Sequence, residues 1–115
     1  MDNPQIDESG TKRWFTNGDL HRTDGPAIID ADGNKGWYLN NNLHRTDGPA
    51  VEWSDGDKDW YINGELHRTD GPAIEYTSGH NEWCIDGHTY TFDEWLELNP
   101  DLTDGGKVMM KLKYG

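Results

Sequence analysis

Tryptophan recurs every 23 residues, at Trp14, Trp37, Trp60 and Trp83, and the octapeptide Leu-His-Arg-Thr-Asp-Gly-Pro-Ala stands unaltered at 20–27, 43–50 and 66–73. Self-similarity at a fixed spacing marks a stack of like supersecondary units, none of which can bury its apolar face alone. The units run 14–36, 37–59 and 60–82, and a divergent fourth starts at Trp83.

Inside a unit, side chains alternate with period two in two short runs. Trp37/Leu39 and Trp60/Ile62 share a side in one run, and Val51/Trp53 and Ile74/Tyr76 share a side in the other. Ala50/Glu52 and Ala73/Glu75 are then expected to face water. Asn17-Gly18, Asn63-Gly64 and Asp86-Gly87 are hairpin dipeptides, as are Asp32-Gly33 and Asp55-Gly56. Three full reversals per unit would turn alternate units upside down, so two are expected, with the stretch from Asn-Gly through Thr-Asp-Gly acting as one wide connection. Pro26, Pro49 and Pro72 would open the second strand, where a missing N–H is tolerated. The fold expected is all-β: an elongated single-layer antiparallel meander of stacked 23-residue β-hairpin repeats.

Composition makes the aromatic spacing decisive. Leu, Ile, Val and Phe supply only 18 of 115 residues, a share typical of chains without a core. Six Trp and five Tyr can each hide roughly 150–250 Å², provided the repeat brings them together. With 10 basic and 22 acidic residues the formal charge is −12, which argues against direct contact with nucleic acid or an anionic membrane. No long apolar run and no signal-type segment opens the chain, and a single cysteine, Cys84, stands alone. A soluble cytoplasmic protein is expected.

The ends break the pattern. Residues 1–13 read as a loose polar lead. Residues 91–115 read as a cap closing the open edge of the array. Thr91 with Glu94 fits a capping box, Phe92, Trp95 and Leu96 form one apolar helical face, and Pro100 ends the segment. A short helix near 92–98 is expected, then a turn at Asp104-Gly105-Gly106 and either a strand or a tail over 107–114.

The His21/Arg22/Asp24, His44/Arg45/Asp47 and His67/Arg68/Asp70 rows invite a catalytic reading. Catalysis needs one singular pocket that shifts pKa values and excludes water. Three identical copies point instead to a demand of each unit's own geometry: Asp taking backbone N–H groups in its turn, Arg pairing with Asp or stacking on a ring. A shared metal on the His column fails on distance. Two strands per unit separate equivalent residues by roughly 10 Å, whereas zinc ligands lie about 2.1 Å from the ion. Asp30 to Gly36 imitates a calcium loop, but Lys35 stands where that loop needs Gly and Asn41 where it needs Glu. Cys84 with His80 or His88 lacks an orienting third group. No enzyme, metal or cofactor is expected.

The 23-residue period, the Asn-Gly before His, the Gly opening the next strand and the closing Asp-Gly resemble MORN-type repeats over residues 14–90. The wording Leu-His-Arg-Thr-Asp-Gly-Pro-Ala after Trp-Tyr is similar to MORN-like variants of bacteriophages and large viruses. Arg22, Arg45 and Arg68 depart from the ordinary pattern, which has Gly after His, so that family's lipid and partner contacts do not carry over. The resemblance implies stacked hairpins and says little of function. Exposed aromatics, repeated Arg and surplus acid point to a non-catalytic protein that engages a host protein, and the phage-like wording makes an inhibitor of a bacterial defence protein the specific expectation. Residues assigned to partner binding are Trp53 and Tyr76, as aromatics a single-layer sheet can leave exposed, and the loop residues His21, Arg22, His44, Arg45, His67 and Arg68. The acidic surplus, about one charge per 3.3 Å of stack, approaches the density of a single nucleic-acid strand, so mimicry of nucleic acid is a possible means of engagement. Two alternatives stay open: a protein that sequesters a small nucleotide through its repeated Arg residues, and a structural assembly module. Edge strands leave room for a homodimer.

Overall fold

The computed structural model describes residues 3–115. The chain begins with β1 (Gln5–Ile6) and turns into β2 (Lys12–Arg13), which runs past Trp14 into β3 (Phe15–Thr16). It reverses at Asn17-Gly18 into β4 (Asp19–Leu20), loops out, and resumes as β5 (Ile28–Ile29). The second unit repeats this with β6 (Lys35–Gly36), β7 (Tyr38–Leu39), β8 (Asn42–Leu43) and β9 (Val51–Glu52). The third has β10 (Lys58–Asp59), β11 (Tyr61–Ile62), β12 (Glu65–Leu66) and β13 (Ile74–Glu75). In the fourth the first arm is one strand, β14 (Asn81–Ile85), answered by β15 (His88–Tyr90) and followed by helices α1 (Phe92–Leu98) and α2 (Asp104–Tyr114).

Nine strands form one antiparallel sheet in the order β1-β2-β5-β6-β9-β10-β13-β14-β15, and β3–β4, β7–β8 and β11–β12 prolong it as short two-stranded ladders. The fold is thus the all-β meander, elongated to 48 × 29 × 20 Å. Among the described residues no helix is long and apolar enough to cross a membrane.

Each unit is one hairpin with a bulge. In the second unit Gly36 pairs with Val51 and Tyr38 pairs with Leu43. Between those pairs the Trp37 N–H donates to Ala50 O (2.7 Å), while Trp37 O accepts from His44 N–H (2.9 Å). The first arm therefore passes straight through its Trp, and residues 45–49 of the second arm are thrown out of the ladder. Two reversals per unit hold. The wide connection, however, is a tight turn plus this bulge, because Asn40 (φ 50°) and Asn41 (φ 68°) both adopt the left-handed conformation that a two-residue hairpin loop demands. Pro49 precedes β9 by two residues and closes the bulge instead of opening the strand.

Three further expectations are corrected. Ala27, Ala50 and Ala73 do not face water; all three are fully buried. Each is where the bulge rejoins the ladder, with its carbonyl on a Trp N–H, and only a small side chain fits beneath the thrown-out loop. Residues 1–13 are no loose lead over the described part. β1 and β2 pair in register and β2 pairs with β5, so Gln5 to Arg13 is a half-unit one period ahead of Ile28 to Gly36. Asp7 pins its turn, accepting from Ser9 N–H, Thr11 N–H and the Arg13 guanidinium at 2.9, 3.1 and 2.7 Å. The Ser9 hydroxyl and Arg13 hold its carboxyl well below the usual carboxylate range.

The third correction concerns 107–114, which is helical. Gly105 and Gly106 lie in the first turn of α2, where the Thr103 hydroxyl accepts from Gly106 N–H (3.0 Å). Asp104 in that turn and Lys111 and Lys113 in the last suit the helix dipole. Met, Leu and Lys also favour helix over strand. Met110 and Tyr114, four residues apart, pack onto the one true core, formed by Trp83, Ile85, Trp95 and Leu96. The expected short helix is α1, with its Thr91/Glu94 capping box in place.

Candidate interaction faces

Strand alternation sends the octapeptide loops and the Trp53/Tyr76 pair to opposite faces. On the first face Trp14, Trp37 and Trp60 each carry an Arg. The Arg22, Arg45 and Arg68 guanidinium carbons lie 3.9, 3.9 and 3.7 Å from the ring centroids of Trp14, Trp37 and Trp60. Each guanidinium is then fixed from the side. Nε donates to the Asp two residues on, at 2.8, 2.9 and 2.8 Å, and Nη1 donates to the Pro carbonyl of the same loop, at 3.1, 3.0 and 3.1 Å. Arg45 and Arg68 also pair with Glu52 and Glu75 across the strand, at 3.1 and 2.7 Å. In the first unit Ile29 stands at that place and Arg22 lacks the third bond. The Gly of each loop leaves room for the guanidinium where it lies: a Cβ on Gly25, Gly48 or Gly71 would come within 3.0, 2.9 or 2.7 Å of the guanidinium carbon and press it off its Trp.

The histidines link units. Nδ1 of His21, His44 and His67 accepts the backbone N–H of Asn40, Asn63 and Asp86, in the turn of the next unit, at 3.1, 3.0 and 2.9 Å. An acceptor Nδ1 places the proton of the neutral ring on Nε2. One residue on, the N–H of Arg22, Arg45 and Arg68 donates to the carbonyls of Tyr38, Tyr61 and Cys84. His-Arg is thus the edge that each unit offers its successor. Successive loops bound open grooves of about 620 Å³ (Arg22 to Gly25 against His44 to Asp47) and about 550 Å³ (Arg45 to Gly48 against His67 to Asp70). Among the described residues no three His, Cys, Asp or Glu side chains converge as ligands for one ion.

The second face carries Phe15, Tyr38 and Tyr61 against Leu20, Leu43 and Leu66, with Ile28, Val51 and Ile74 on the sheet proper. Trp53 and Tyr76, one period apart, remain 44 % and 39 % exposed here. Tyr76 stacks on His80 at 5.7 Å between centroids, and His80 Nε2 meets Glu82 at 2.8 Å. Trp53 donates from Nε1 to Asp59 Oδ2 (3.1 Å), the place that Glu82 holds one period on. Burial pushes the Asp59 carboxyl above its ordinary value, and burial followed by the Asp59 charge pushes the Tyr61 hydroxyl up. Cys84 is buried, which raises its thiol further from reactivity.

Sequence reasoning passed over the residue just before each Trp: Arg13, Gly36, Asp59 and Glu82. Pairing puts all four in one row across this face, interleaved with Ile28, Val51 and Ile74. Their signal was variation at a fixed place in an otherwise strict repeat.

No protein-family model matches this chain, and neither the curated proteins nor the solved structures contain a significant match to it.

Proposed function

We propose that this chain is a non-catalytic binding protein that holds a partner protein against the Trp53/Tyr76 face of its sheet. The observation that carries this reading is the pair itself: two large aromatics, one period apart on one face, left open while the equivalent residue in the first unit is Asp30. Aromatics of this kind dominate interface energetics. The loop residues serve differently. His21, His44 and His67 and Arg22, Arg45 and Arg68 are spent on stacking units and covering Trp, which weighs against a nucleotide held by the Arg column. Their outward edges, with Thr46 and Asp47, remain as a secondary contact row.

A formal charge of −12 favours a basic partner through steering and complementarity. Combined with the resemblance to phage repeats, the specific form of the proposal is an inhibitor that engages a bacterial defence protein. The test is affinity capture from bacterial lysate with the native chain and with a Trp53→Ser/Tyr76→Ser variant, side by side. A reproducible protein recovered by the native chain and lost with the variant is expected. Recovery of the same set by both, or of nothing, would overturn the reading.

A further inference from the structure

Repetition explains most side chains here, so a place where the repeat lapses is informative. In the row before each Trp, Arg13 fills its position and pairs with Asp7 at 2.7 Å, and Glu82 fills its position and meets His80. Gly36 supplies no side chain, and its place is covered by the Tyr38 ring. No unusual backbone angle calls for glycine there; what a Cβ would meet is the Tyr38 ring, at 3.0 Å. Beside it lies an open pocket of about 280 Å³ floored by Ile28, Gly36 and Val51 and walled by Tyr38, Trp53 and Tyr61, with Lys35 and Asp59 on its rim.

Asp59 is the second departure. Its place in the row is flanked by Val51 and Ile74, its Oδ2 takes the Trp53 indole N–H, and among the described residues no Lys, Arg or His pairs with it. A half-buried carboxylate beside aromatic faces, in no ion pair with the Lys35 that lines the same pocket, is the complement of an organic cation: the rings offer their negative faces and the carboxylate the counter-charge. The volume lies just under the roughly 300 Å³ at which drug-sized pockets begin, enough for a headgroup and no more.

We propose that the Gly36 cavity, with Tyr38, Trp53, Tyr61 and Asp59, binds an alkylammonium group. The burial-raised carboxyl of Asp59 agrees with a site waiting for a cation. The chemistry is shared by a lysine or methylated lysine side chain of a partner and by a free small amine. This deepens the partner-binding reading above, with which it shares Trp53, but it is tested without any partner.

The experiment titrates the full chain with tetramethylammonium chloride, Nα-acetyl-lysine amide and its Nε-trimethyl form, against sodium chloride at equal ionic strength. The heat of binding and the ring resonances of Tyr38 and Tyr61 are followed in every variant, with the Trp53 indole N–H resonance as a further reporter in the native chain and in Asp59→Asn. A saturable change seen with the alkylammonium probes and absent with sodium is expected. It should weaken at least tenfold in Asp59→Asn, which keeps an acceptor for the Trp53 indole, and vanish in Trp53→Leu. Tyr76→Leu, one unit away, should leave it unchanged while still impairing partner capture, so the two proposals fail separately. Tighter binding of a lysine-bearing peptide than of tetramethylammonium assigns the source to a protein side chain, and equal binding assigns it to a free amine. A response equal to that of sodium, or one undiminished in folded Asp59→Asn, overturns the site.

Discussion

Trp60 and Trp83 hold the same place in neighbouring units and are covered by different chemistry. Over Trp60 lies the Arg68 guanidinium, at 3.7 Å, held by Asp70, Pro72 O and Glu75. Over Trp83 lie Phe92, Trp95 and Tyr114, with centroids at 4.6, 4.7 and 5.0 Å. The switch occurs at one residue: Thr91 stands one period after Arg68 and begins a helix where Arg would begin a bulge. Its N–H, which in every repeated unit would reach the next unit's carbonyl, goes instead to Glu94 Oε1 (2.9 Å). The capping box therefore also stops the stack, because it consumes the donor that a fifth hairpin would need. Trp95 Nε1 and Asn99 Nδ2 then tie the cap down on Arg68 O and Thr69 O, at 3.1 and 2.7 Å. A charged lid can be repeated since it is contained in eight residues and keeps its surface wet. An aromatic lid needs two helices and can be used once.

The comparison breaks most visibly if the aromatic lid is removed. Trp95→Ala empties a fully buried site and loses the bond to Arg68 O, so a loss of about 3–5 kcal/mol in unfolding free energy is expected. Denaturant unfolding measures it, and a loss below about 1 kcal/mol would show that the helices merely rest on the array. Next in size is the charged lid. Gly71→Ala drives a Cβ to 2.7 Å from the Arg68 guanidinium carbon, against 3.0 Å for Gly25→Ala at Arg22. The expected costs are about 1–3 kcal/mol, larger at Gly71. In an Arg68→Ala background the Gly71→Ala penalty should shrink toward zero; simple additivity of the two substitutions would mean that the close approach is not what glycine is for.

The stack was legible because its determinants are periodic: Trp spacing, Asn-Gly turns and the parity of reversals all follow from local sequence. The bulge was not, since nothing in Arg-Thr-Asp-Gly-Pro says whether the loop belongs to the turn or interrupts the ladder; that is decided by Trp37 bonding His44 on one side and Ala50 on the other. The same cause hid the burial of Ala50, which alternation alone sends to water. α2 was missed because Gly105-Gly106 reads as a turn unless one sees the core that Met110 and Tyr114 face. The half-unit at Gln5 to Arg13 could have been found from Asp7, Gly10 and Lys12, one period before Asp30, Gly33 and Lys35. The pocket rests on Tyr38, Trp53 and Tyr61 meeting from two units, a juxtaposition that spacing along the chain does not reveal.

A smaller effect probes the links between units. His44→Ala removes the acceptor for Asn63 N–H, and a cost of about 0.5–1.5 kcal/mol is expected. Amide exchange should quicken at Asn63 while Asp86, served by His67, keeps its protection. Unchanged exchange at Asn63 would show that water replaces the imidazole without loss and that the His column does not hold the units together.

The smallest effect concerns the face that departs from the repeat. Burial raises the folded-state pKa of Asp59 above the ordinary 3.8, so the folded protein holds this proton more tightly than the unfolded chain does. Below the ordinary value both states are protonated and the residue costs nothing. As pH rises through the folded-state value the buried charge forms, and stability is lost. Asp59→Asn cannot ionise and still accepts from the Trp53 indole. It should therefore be more stable than the native chain at neutral pH, by less than about 1 kcal/mol because the carboxyl is only half-buried, and the difference should close as the solution is acidified toward pH 4. Thermal unfolding across that range reads it directly. Were the native chain the more stable of the two at neutral pH, Asp59 would be a structural acceptor like Asp24 and Asp47. A carboxylate kept at some expense to the fold has a reason outside the fold, and that is what separates the second face from the first.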